Sequence, residues 1–478
     1  MPFIQIDAVK IKNLADEHMH PRGNLDYANH SGHPANLVMS EVLKHQTAFA
    51  RILAMPNAGN HIKTQAEVAT YKAMMYQRMP KETEFVDINF TISLKPETTP
   101  EIIEELEDDV TWVKYYPGGV TTGSGDASKD LDITNPNTRA VFEAIIKKNK
   151  ERKLAGKKQL NLLLHPETTL ERDQDGMIKK WFVHNAEREF MGIIVDIARD
   201  FRDLPIVVEH ISTKEMAYLV SDFDTRSRIL YALTQKFGSR YAQNFEKQMG
   251  DIIVWEEFTN ISASVTPQHL LFTAHEKEGG HAFDPHLHCK PTLKEPADLI
   301  AVQTAVLSWW KNIFYGSDSA AHPKNKVYWI DPKDGQRKLL LAGKECEHCA
   351  SGVVSSTTGP QEIIEWLTSE KTHALWENLT SQDMTVYQKQ ILMQQFFSDN
   401  GARVHGRYTD DFTKTTTYKR KKNKIPLSYT AGMDVDGNDI DIVPMRAGKE
   451  LQFEINEVAI ETKAGVQLIL STDHFWLK

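Results

Sequence analysis

The segment Leu160-Asn161-Leu162-Leu163-Leu164-His165 contains the pattern from which the fold can be predicted. A short, nearly continuous apolar run is typical of a strand buried on both faces of a parallel sheet. Here an ionisable residue directly follows the run. The same order recurs in Ile206-Val207-Val208-Glu209-His210 and in Val110-Thr111-Trp112-Val113-Lys114. A buried strand that ends in an ionisable residue is therefore a repeated unit of this chain.

Eight apolar runs of this kind lie before Ala320, and helical patterns separate many of them. The predicted strands are residues 4–15, 49–55, 85–94, 110–113, 160–164, 206–208, 261–265 and 313–315. The predicted helices between them are residues 65–79, 100–108, 138–150, 186–200 and 297–310. This alternation predicts an α/β fold of the (β/α)8 barrel, or TIM barrel, type. A doubly wound open sheet is the alternative, but no glycine-rich nucleotide-binding string follows a strand.

Polar residues stand just past most of these predicted strands. In a barrel the carboxyl ends of all strands meet at one rim, where active sites are built. We therefore expect one mouth to collect His18, His20, Asn57, Lys114, His165, His210 and Asp318.

Composition narrows the class of protein. The chain has 478 residues, with 56 Lys+Arg against 65 Asp+Glu, and its net charge of −9 argues against a broad nucleic-acid surface. No run reaches the ~18 apolar residues of a membrane-spanning helix, and the N-terminus lacks the apolar core of a secretory signal. Three cysteines cannot form a disulfide framework, so the expected location is the cytoplasm.

The barrel is predicted to occupy residues 1–360, with insertions at 221–260 and 323–343. Residues 361–478 are predicted to form helices and strands packed on the barrel, and the basic run 419–424 a solvated turn. The first insertion is predicted to contain one long helix, 225–249, lying on the barrel flank or against a second subunit. The string Cys346-Glu347-His348-Cys349 is expected to be an ordinary loop, because a structural zinc needs four ligands.

His18 and His20 are the first candidate metal ligands. Side chains at i and i+2 point to the same side of an extended chain, and imidazole suits zinc. Arg22 follows them, and its guanidinium suits a substrate carboxylate. Singly, His165 and His210 are more often structural histidines, and Asp318 could be a helix N-cap. As one set at one rim, these residues favour a metal site.

Lys114 is the unusual member of this set, because an ammonium group cannot ligate a cation. It fits a metal site only if CO2 converts its amine into an anionic carbamate that can bridge two metals. The alternative is an ordinary ion pair with Asp318 at the barrel mouth.

From about residue 14 to the C-terminus, the chain resembles the dihydroorotases of the shorter bacterial type, in the amidohydrolase superfamily. The strings Glu209-His210-Ile211-Ser212-Thr213-Lys214 and Thr266-Pro267-Gln268-His269-Leu270 are the most specific to that branch. The other matching strings are His18-Met19-His20-Pro21-Arg22, Met55-Pro56-Asn57, Lys114-Tyr115-Tyr116-Pro117, His165-Pro166-Glu167, Pro285-His286-Leu287-His288-Cys289-Lys290-Pro291 and Gly316-Ser317-Asp318-Ser319-Ala320-Ala321-His322.

The resemblance implies a barrel with two zinc ions and the reversible conversion of L-dihydroorotate to N-carbamoyl-L-aspartate, a step of pyrimidine synthesis. It implies that His18, His20 and Asp318 bind one zinc, that His165 and His210 bind the other, and that Lys114 bridges them as N6-carboxylysine. Asp318 would also be the catalytic acid and base. The implied substrate-binding residues are Arg22, Asn57, Thr121, Thr122, Leu270, His322 and Ala350.

Two alternatives stay open at this point. The first is another cyclic amidohydrolase, of the hydantoinase or dihydropyrimidinase kind. The second is a catalytically silent barrel that serves as a scaffold for another enzyme. The partner expected from the resemblance is a small-molecule substrate, with no nucleic acid and no membrane, and a homodimer is a candidate assembly.

Overall fold

The computed structural model describes residues 5–21, 48–58, 60–78, 85–117, 132–168, 185–253, 256–274, 287–320, 328–330, 337–339, 352–356, 358–405, 411–433 and 439–470. At its centre lies a sheet of eight parallel strands. These strands are β2 Ala15–Met19, β3 Arg51–Ala54, β6 Asp87–Leu94, β7 Val110–Tyr115, β8 Asn161–Leu164, β9 Ile206–Val208, β10 Ile261–Val265 and β11 Ile313–Tyr315.

The sheet closes on itself. Each strand pairs with the next barrel strand along the chain, from β2 to β11. Just beyond β11, the Asp318 amide donates to the carbonyl of His18 at 2.7 Å, and the His20 amide donates to that of Ser319 at 2.9 Å. These bonds join the last strand to the first, which confirms the predicted (β/α)8 barrel.

Helices surround the barrel, and most begin at residues suited to start them. Asn135 accepts a hydrogen bond from the amide of Asn137, and Pro136 occupies the first turn, where its missing N–H costs nothing. The helices are α1 Gln65–Arg78, α2 Pro100–Glu104, α3 Pro136–Leu154, α4 Ala186–Asp200, α5 Lys214–Leu219, α6 Phe223–Phe237, α7 Ser239–Ile253, α8 Pro267–Leu271, α9 Pro296–Leu307, α10 Gly359–Leu367, α11 Glu370–Thr380, α12 Val386–Gln394 and α13 Asn400–His405.

Two apolar layers hold this arrangement together. A small cluster fills the barrel interior and consists of Leu53, Met55, Trp112, Leu163, Val207 and Phe314. A much larger cluster joins the outer faces of the strands to the helices. The alternation of inward and outward side chains along each strand supplies both layers.

The predicted first strand, residues 4–15, is wrong as a single element. The structure divides it into β1 Ala8–Lys12, which belongs to another sheet, and barrel strand β2. Asn13 separates them with a φ of 51°, a left-handed conformation that asparagine tolerates better than most residues. The side chains of β1 are alternately exposed and buried, whereas those of β2 are all buried.

The predicted helix 225–249 is two helices, α6 and α7. Gly238 separates them with a φ of 90°, which only glycine adopts without strain. The apolar faces of both helices, including Ile229 and Met249, join the large core cluster. This insertion therefore packs on the barrel flank.

The C-terminal region forms an antiparallel sheet together with β1, in the order β1, β14 Phe412–Lys424, β17 Glu450–Thr462 and β18 Gln467–Leu470. The basic run 419–424 is therefore part of a strand and not a turn, because β17 pairs with it as far as Lys424. The helices predicted for residues 361–478 are present as α10 to α13, and a π-helical turn at Gln395–Asp399 follows α12.

Three two-stranded sheets complete the described structure. They are β4 Asn57–Ala58 with β5 Asn60–His61, β12 Tyr328–Ile330 with β13 Arg337–Leu339, and β15 Tyr429–Met433 with β16 Asp439–Ile442. The second lies in the predicted insertion 323–343, and the string Cys346–Cys349 falls outside the described residues. The domain boundary at residue 360 stays a prediction.

The end of the barrel opposite the rim is covered by α13. His405 lies against Trp112 in the barrel interior, with 3.7 Å between ring centroids, and Asn400 donates to the carbonyl of Ile313 at the start of β11.

Within the described part of the chain, no helix has the length and apolar character required to cross a bilayer.

Candidate metal centre

The carboxyl ends of five barrel strands bring the six predicted ligands together. His18 and Lys114 lie within β2 and β7, and His20 follows β2 directly. His165 comes one residue after β8, and His210 and Asp318 follow β9 and β11 closely. All six side chains are buried at the same rim. The spatial convergence expected from the sequence is therefore present.

His18, His20 and Asp318 form the tightest group. The Nε2 atoms of the two histidines are 3.3 Å apart, and Asp318 Oδ1 lies 3.3 Å from that of His18 and 3.0 Å from that of His20. The donor atoms of a tetrahedral zinc bound at about 2.0–2.1 Å are themselves about 3.3 Å apart. The spacing of these three atoms therefore fits a single small cation.

His165 and His210 form a second pair beside the first group. His165 Nδ1 and His210 Nε2 are 3.1 Å apart. The ring of His210 also lies 5.1 Å, between centroids, from that of His18. The two groups are thus neighbours, as a centre with two metal ions requires.

Among contacts between described residues, three of the four histidines have one ring nitrogen held by a partner outside the cluster. His18 Nδ1 lies 2.5 Å from Glu209 Oε2, and His165 Nε2 lies 2.7 Å from Glu167 Oε2. His20 Nδ1 lies 2.6 Å from Asn57 Oδ1. Because each partner oxygen is an acceptor, the proton sits on the nitrogen that faces it. The other nitrogen then turns its lone pair toward the cluster.

Lys114 is fully buried, and among the residues that the structure describes its Nζ has no hydrogen-bond partner. The centroid of the Tyr116 ring is 5.3 Å from Nζ. Burial lowers the pKa of the amine to about 8, although the charges of Glu209 and Asp318 oppose the shift. An orphaned amine that is easily deprotonated has the properties that carbamate formation needs, since only the neutral form attacks CO2.

His18 and His210 favour their neutral form. Burial lowers the pKa of His18 well below its usual value, and the positive charge of Lys114 acts in the same direction. Burial, with a smaller contribution from the neighbouring His165, does the same to His210. Neutral imidazoles can bind a metal near pH 7 without first losing a proton.

Asp318 and Glu209 differ in the direction of their pKa shifts. Although burial opposes ionisation of Asp318, its hydrogen bond with His20 is the largest of the influences that hold its pKa at about 2, and the positive charge of Lys114 acts in the same direction. Burial raises the pKa of Glu209 to about 7, against the influence of Lys114 and of the Ser264 hydroxyl. Asp318 is therefore an anion at the rim under all ordinary conditions.

The backbone is strained at two of the ligand positions. His210 has a φ of 41° and Asp318 a φ of 48°, values uncommon for residues other than glycine. The amide of His210 donates to the Ser264 hydroxyl at 2.7 Å, which helps to hold this conformation. Strained residues of this kind persist where surrounding bonds fix them, and they cluster at functional sites.

The predicted substrate-binding residues are only partly within the described structure. Asn57 is buried at the rim, but its Oδ1 already accepts from His20. Leu270 is buried, its amide donates to Thr266, and its carbonyl accepts from the side chain of Gln303 at 2.9 Å. The remaining predicted residues lie outside the described ranges and are Arg22, Thr121, Thr122, His322 and Ala350.

Sequence reasoning assigned no role to Glu167 or Glu209. For Glu167 a signal was available, because His165 and Glu167 are two residues apart and such side chains share one side of an extended chain. Glu209 reaches His18 across the barrel, from a residue 191 positions away. No local pattern could have indicated that contact.

Comparisons with known proteins find relatives that share one name. The chain is 24% identical over 408 residues to the dihydroorotase of Acinetobacter baumannii strain ATCC 17978, which covers 85% of this chain and 90% of that protein. It is 26% identical over 410 residues to the dihydroorotase of Neisseria gonorrhoeae, with the same coverage of both chains. No protein-family model matches the chain. The chain is thus a distant homologue of proteins named dihydroorotase over most of its length.

Solved structures share the fold. The dihydroorotase of Saccharomyces cerevisiae in complex with 5-fluoroorotic acid superposes with a TM-score of 0.64 at 23% identity, covering 94% of this chain and 98% of that one. The dihydroorotase of Campylobacter jejuni gives 0.61 at 23% identity, with 95% and 98% covered. An L-hydantoinase from Arthrobacter aurescens gives 0.57 at 13% identity, with 97% and 87% covered.

Proposed function

We propose that this chain is a dihydroorotase, which hydrolyses the ring amide of L-dihydroorotate to N-carbamoyl-L-aspartate and catalyses the reverse reaction. The observation that carries the proposal is the convergence of His18, His20 and Asp318 at the rim. One possible ligand atom from each side chain lies within 4.8 Å of the other two. The neighbouring pair His165 and His210 supports a second metal position, and sequence homology to proteins named dihydroorotase selects the substrate.

We propose zinc as the metal, with two ions per chain. His18, His20 and Asp318 would hold the first ion, and His165 and His210 the second. Lys114 would bridge them as N6-carboxylysine, since its buried amine has no hydrogen-bond partner in the described structure. When bound, such a pair of ions supplies an activated water and polarises the amide carbonyl.

Asp318 is the proposed proton carrier. Its Oδ1 lies 3.0 Å from His20 Nε2, so it faces the centre where the water is activated. In hydrolysis Asp318 takes a proton from the attacking water as the new C–O bond forms. It then gives that proton to the ring nitrogen as the C–N bond breaks. In ring closure the same carboxylate removes the proton from the ureido nitrogen, and water leaves.

Recognition of the substrate carboxylate is assigned to Arg22, Asn57 and His322, which together offer a fixed cation, an amide and an imidazole. Leu270 and Ala350 would bind the ring through their backbones. Because the Leu270 carbonyl already accepts one bond, it would use its second lone pair. Thr121 and Thr122 would close over the ring.

A cytoplasmic location and a homodimer remain part of the proposal.

The main competitor is a hydantoinase or dihydropyrimidinase, because proteins of that kind share the fold. Their rings lack the carboxylate that distinguishes dihydroorotate. The decisive assay compares turnover of L-dihydroorotate with turnover of dihydrouracil by the zinc-loaded protein. We expect turnover of dihydroorotate alone. Turnover of dihydrouracil alone would overturn the proposal.

A silent scaffold is the competitor from another class. In the same assay, Asp318→Ala should keep the fold but lower kcat by about 10²–10⁴-fold, because the proton carrier is lost. Metal content should be about two zinc ions per wild-type chain. Near-normal turnover by the Asp318→Ala variant would refute the role of Asp318. A wild-type chain that binds no metal and turns over neither ring would favour the scaffold.

A further inference from the structure

Glu209 connects three strands of the barrel behind the metal ligands. Its Oε2 accepts from His18 Nδ1 on β2 at 2.5 Å and from the Ser264 hydroxyl on β10 at 2.5 Å. The same hydroxyl accepts from the backbone amide of His210 at 2.7 Å. One carboxylate is therefore joined directly to one candidate ligand and, through Ser264, to the backbone of another.

These contacts have a direct consequence for the lone pairs of His18. The neutral ring carries a single N–H, and the carboxylate of Glu209 keeps that proton on Nδ1. His18 Nε2, which faces His20 and Asp318, is then left unprotonated. If Nδ1 had no acceptor, both tautomers would be populated, and only one of them can bind a cation at Nε2.

The contact with Ser264 serves the second ligand. His210 adopts a φ of 41°, and its amide bond to Ser264 helps to fix that backbone. The hydroxyl of Ser264 can accept from His210 with a fixed geometry only because its own proton is donated to Glu209. The orientation of the His210 ring, 4.7 Å between centroids from that of His165, thus depends indirectly on the same carboxylate.

We propose that Glu209 is a positioning residue for both metal positions, which fixes the tautomer of His18 and the backbone of His210 without binding a metal itself. This inference rests on the metal centre of the proposed function. Its carboxyl group is completely buried beside the centre, and the ionised form of that group also favours a bound cation. Outer partners of this kind typically contribute 10–100-fold to metal affinity.

The test is a competition titration of the metal-free full chain with Zn²⁺ against a chromophoric chelator, which requires no substrate. We expect Glu209→Gln to bind Zn²⁺ at least about 10-fold more weakly than the wild type, and Glu209→Ala more weakly still. Ser264→Ala should show a smaller loss, since His18 keeps its acceptor. The visible spectrum of bound Co²⁺ should also change in the Glu209 variants, because ligand orientation sets it.

The matched control is Glu362→Gln. Glu362 is also a fully buried carboxylate, but it accepts from Thr358 at 2.8 Å and pairs with Arg446, far along the chain from the ligands. Zn²⁺ affinity in this variant should equal that of the wild type. Circular dichroism of each metal-free variant identifies loss of fold, and Glu209→Gln and Ser264→Ala provide the test if Glu209→Ala does not fold.

Equal Zn²⁺ affinity in wild type and both Glu209 variants would overturn the inference, as would an equal loss in Glu362→Gln. Failure of the proposed function gives a different result. In that case dihydroorotate is not turned over by the wild type, while the order of Zn²⁺ affinities stays as described.

Discussion

At the scale of single residues, three candidate ligand atoms at the rim are hydrogen-bond acceptors that face one another. His18 Nε2, His20 Nε2 and Asp318 Oδ1 are all acceptors when the histidines are neutral, and they lie 3.0–3.3 Å apart. Such an arrangement is repulsive unless a proton or a cation lies between the atoms. The residue types and their places after the strands could be predicted from the sequence. The outer partner Glu209 could not, because its contact with His18 is made only by the folded barrel.

Lys114 provides a prediction at this scale. Because the pKa of its amine is about 8, the neutral fraction should rise about tenfold for each pH unit up to that value and then level off. At fixed dissolved ¹³CO2 and excess zinc, the rate of carbamate formation should follow that fraction. The neighbouring histidines are neutral over this range and add no further dependence.

The measurement is the growth of the ¹³C NMR signal of the carbamate between about pH 6 and pH 9. The Lys114→Met variant serves as the control and should give no signal. A rate that does not change with pH below 8, or an equal signal in Lys114→Met, would show that this amine is not modified.

At the scale of elements, the sequence predicted where helices form better than where they end. The helix Ala186–Asp200 was predicted with its observed bounds, and its apolar face recurs at helical spacing. The predicted helix 225–249 is instead broken at Gly238, where the backbone turns to a φ of 90°. An isolated glycine in a helical pattern is ambiguous, since it can be tolerated or can end the helix.

Gly238 and Gly250, both in the insertion 221–260, allow a matched test of this difference. A Cβ at Gly238 or at Gly250 would meet no atom within 4 Å, so space does not distinguish them. Gly238→Ala should lower the free energy of unfolding by about 1–3 kcal/mol, because its backbone conformation suits only glycine. Gly250→Ala lies inside α7 and should raise that free energy by about 0.5–1 kcal/mol.

Urea denaturation of the two variants and the wild type measures both changes. Opposite signs are the expected result. An equal or larger stability of Gly238→Ala would mean that α6 and α7 can join as one helix, as the sequence alone suggested.

At the scale of the whole molecule, strand β1 joins the C-terminal sheet at the end of the barrel where the barrel strands begin. β1 pairs with β14, and the buried Lys414 of β14 donates from Nζ to the carbonyl of Phe49 at 2.8 Å, just before barrel strand β3. The parallel barrel could be predicted from the eight repeated apolar runs, because strands that follow one another along the chain are also neighbours in the sheet. The pairing of residues 8–12 with residues 415–419 was not, since short-range periodicity contains no information on partners 400 residues away.

Lys414 makes the stability of this junction depend on pH. Burial lowers the pKa of Lys414 to about 7 in the folded chain, against 10.5 as the usual value. Between these values the unfolded chain binds more protons, so stability rises with pH in this window. Lys414→Met should therefore be stabilising at pH 7, and its advantage should shrink by up to about 1.4 kcal/mol per pH unit as the pH rises.

Thermal or urea unfolding between pH 7 and about pH 10 tests this dependence. Lys419→Met is the control, because Lys419 is an exposed residue of the same strand. Its difference from the wild type should be constant with pH. A constant difference for Lys414→Met as well would show that Lys414 is solvated in the native protein.

We propose that six side chains from distant parts of the sequence hold two metal ions at one rim. Anomalous scattering at the zinc edge, from crystals grown with zinc and CO2, tests this arrangement. We predict two peaks, one beside His18, His20 and Asp318 and one beside His165 and His210, with density for a carbamate on Lys114 between them. A rim without a peak, while zinc binds instead at the cluster of His373, Glu377 and Asp383, would show that the rim is not the metal centre.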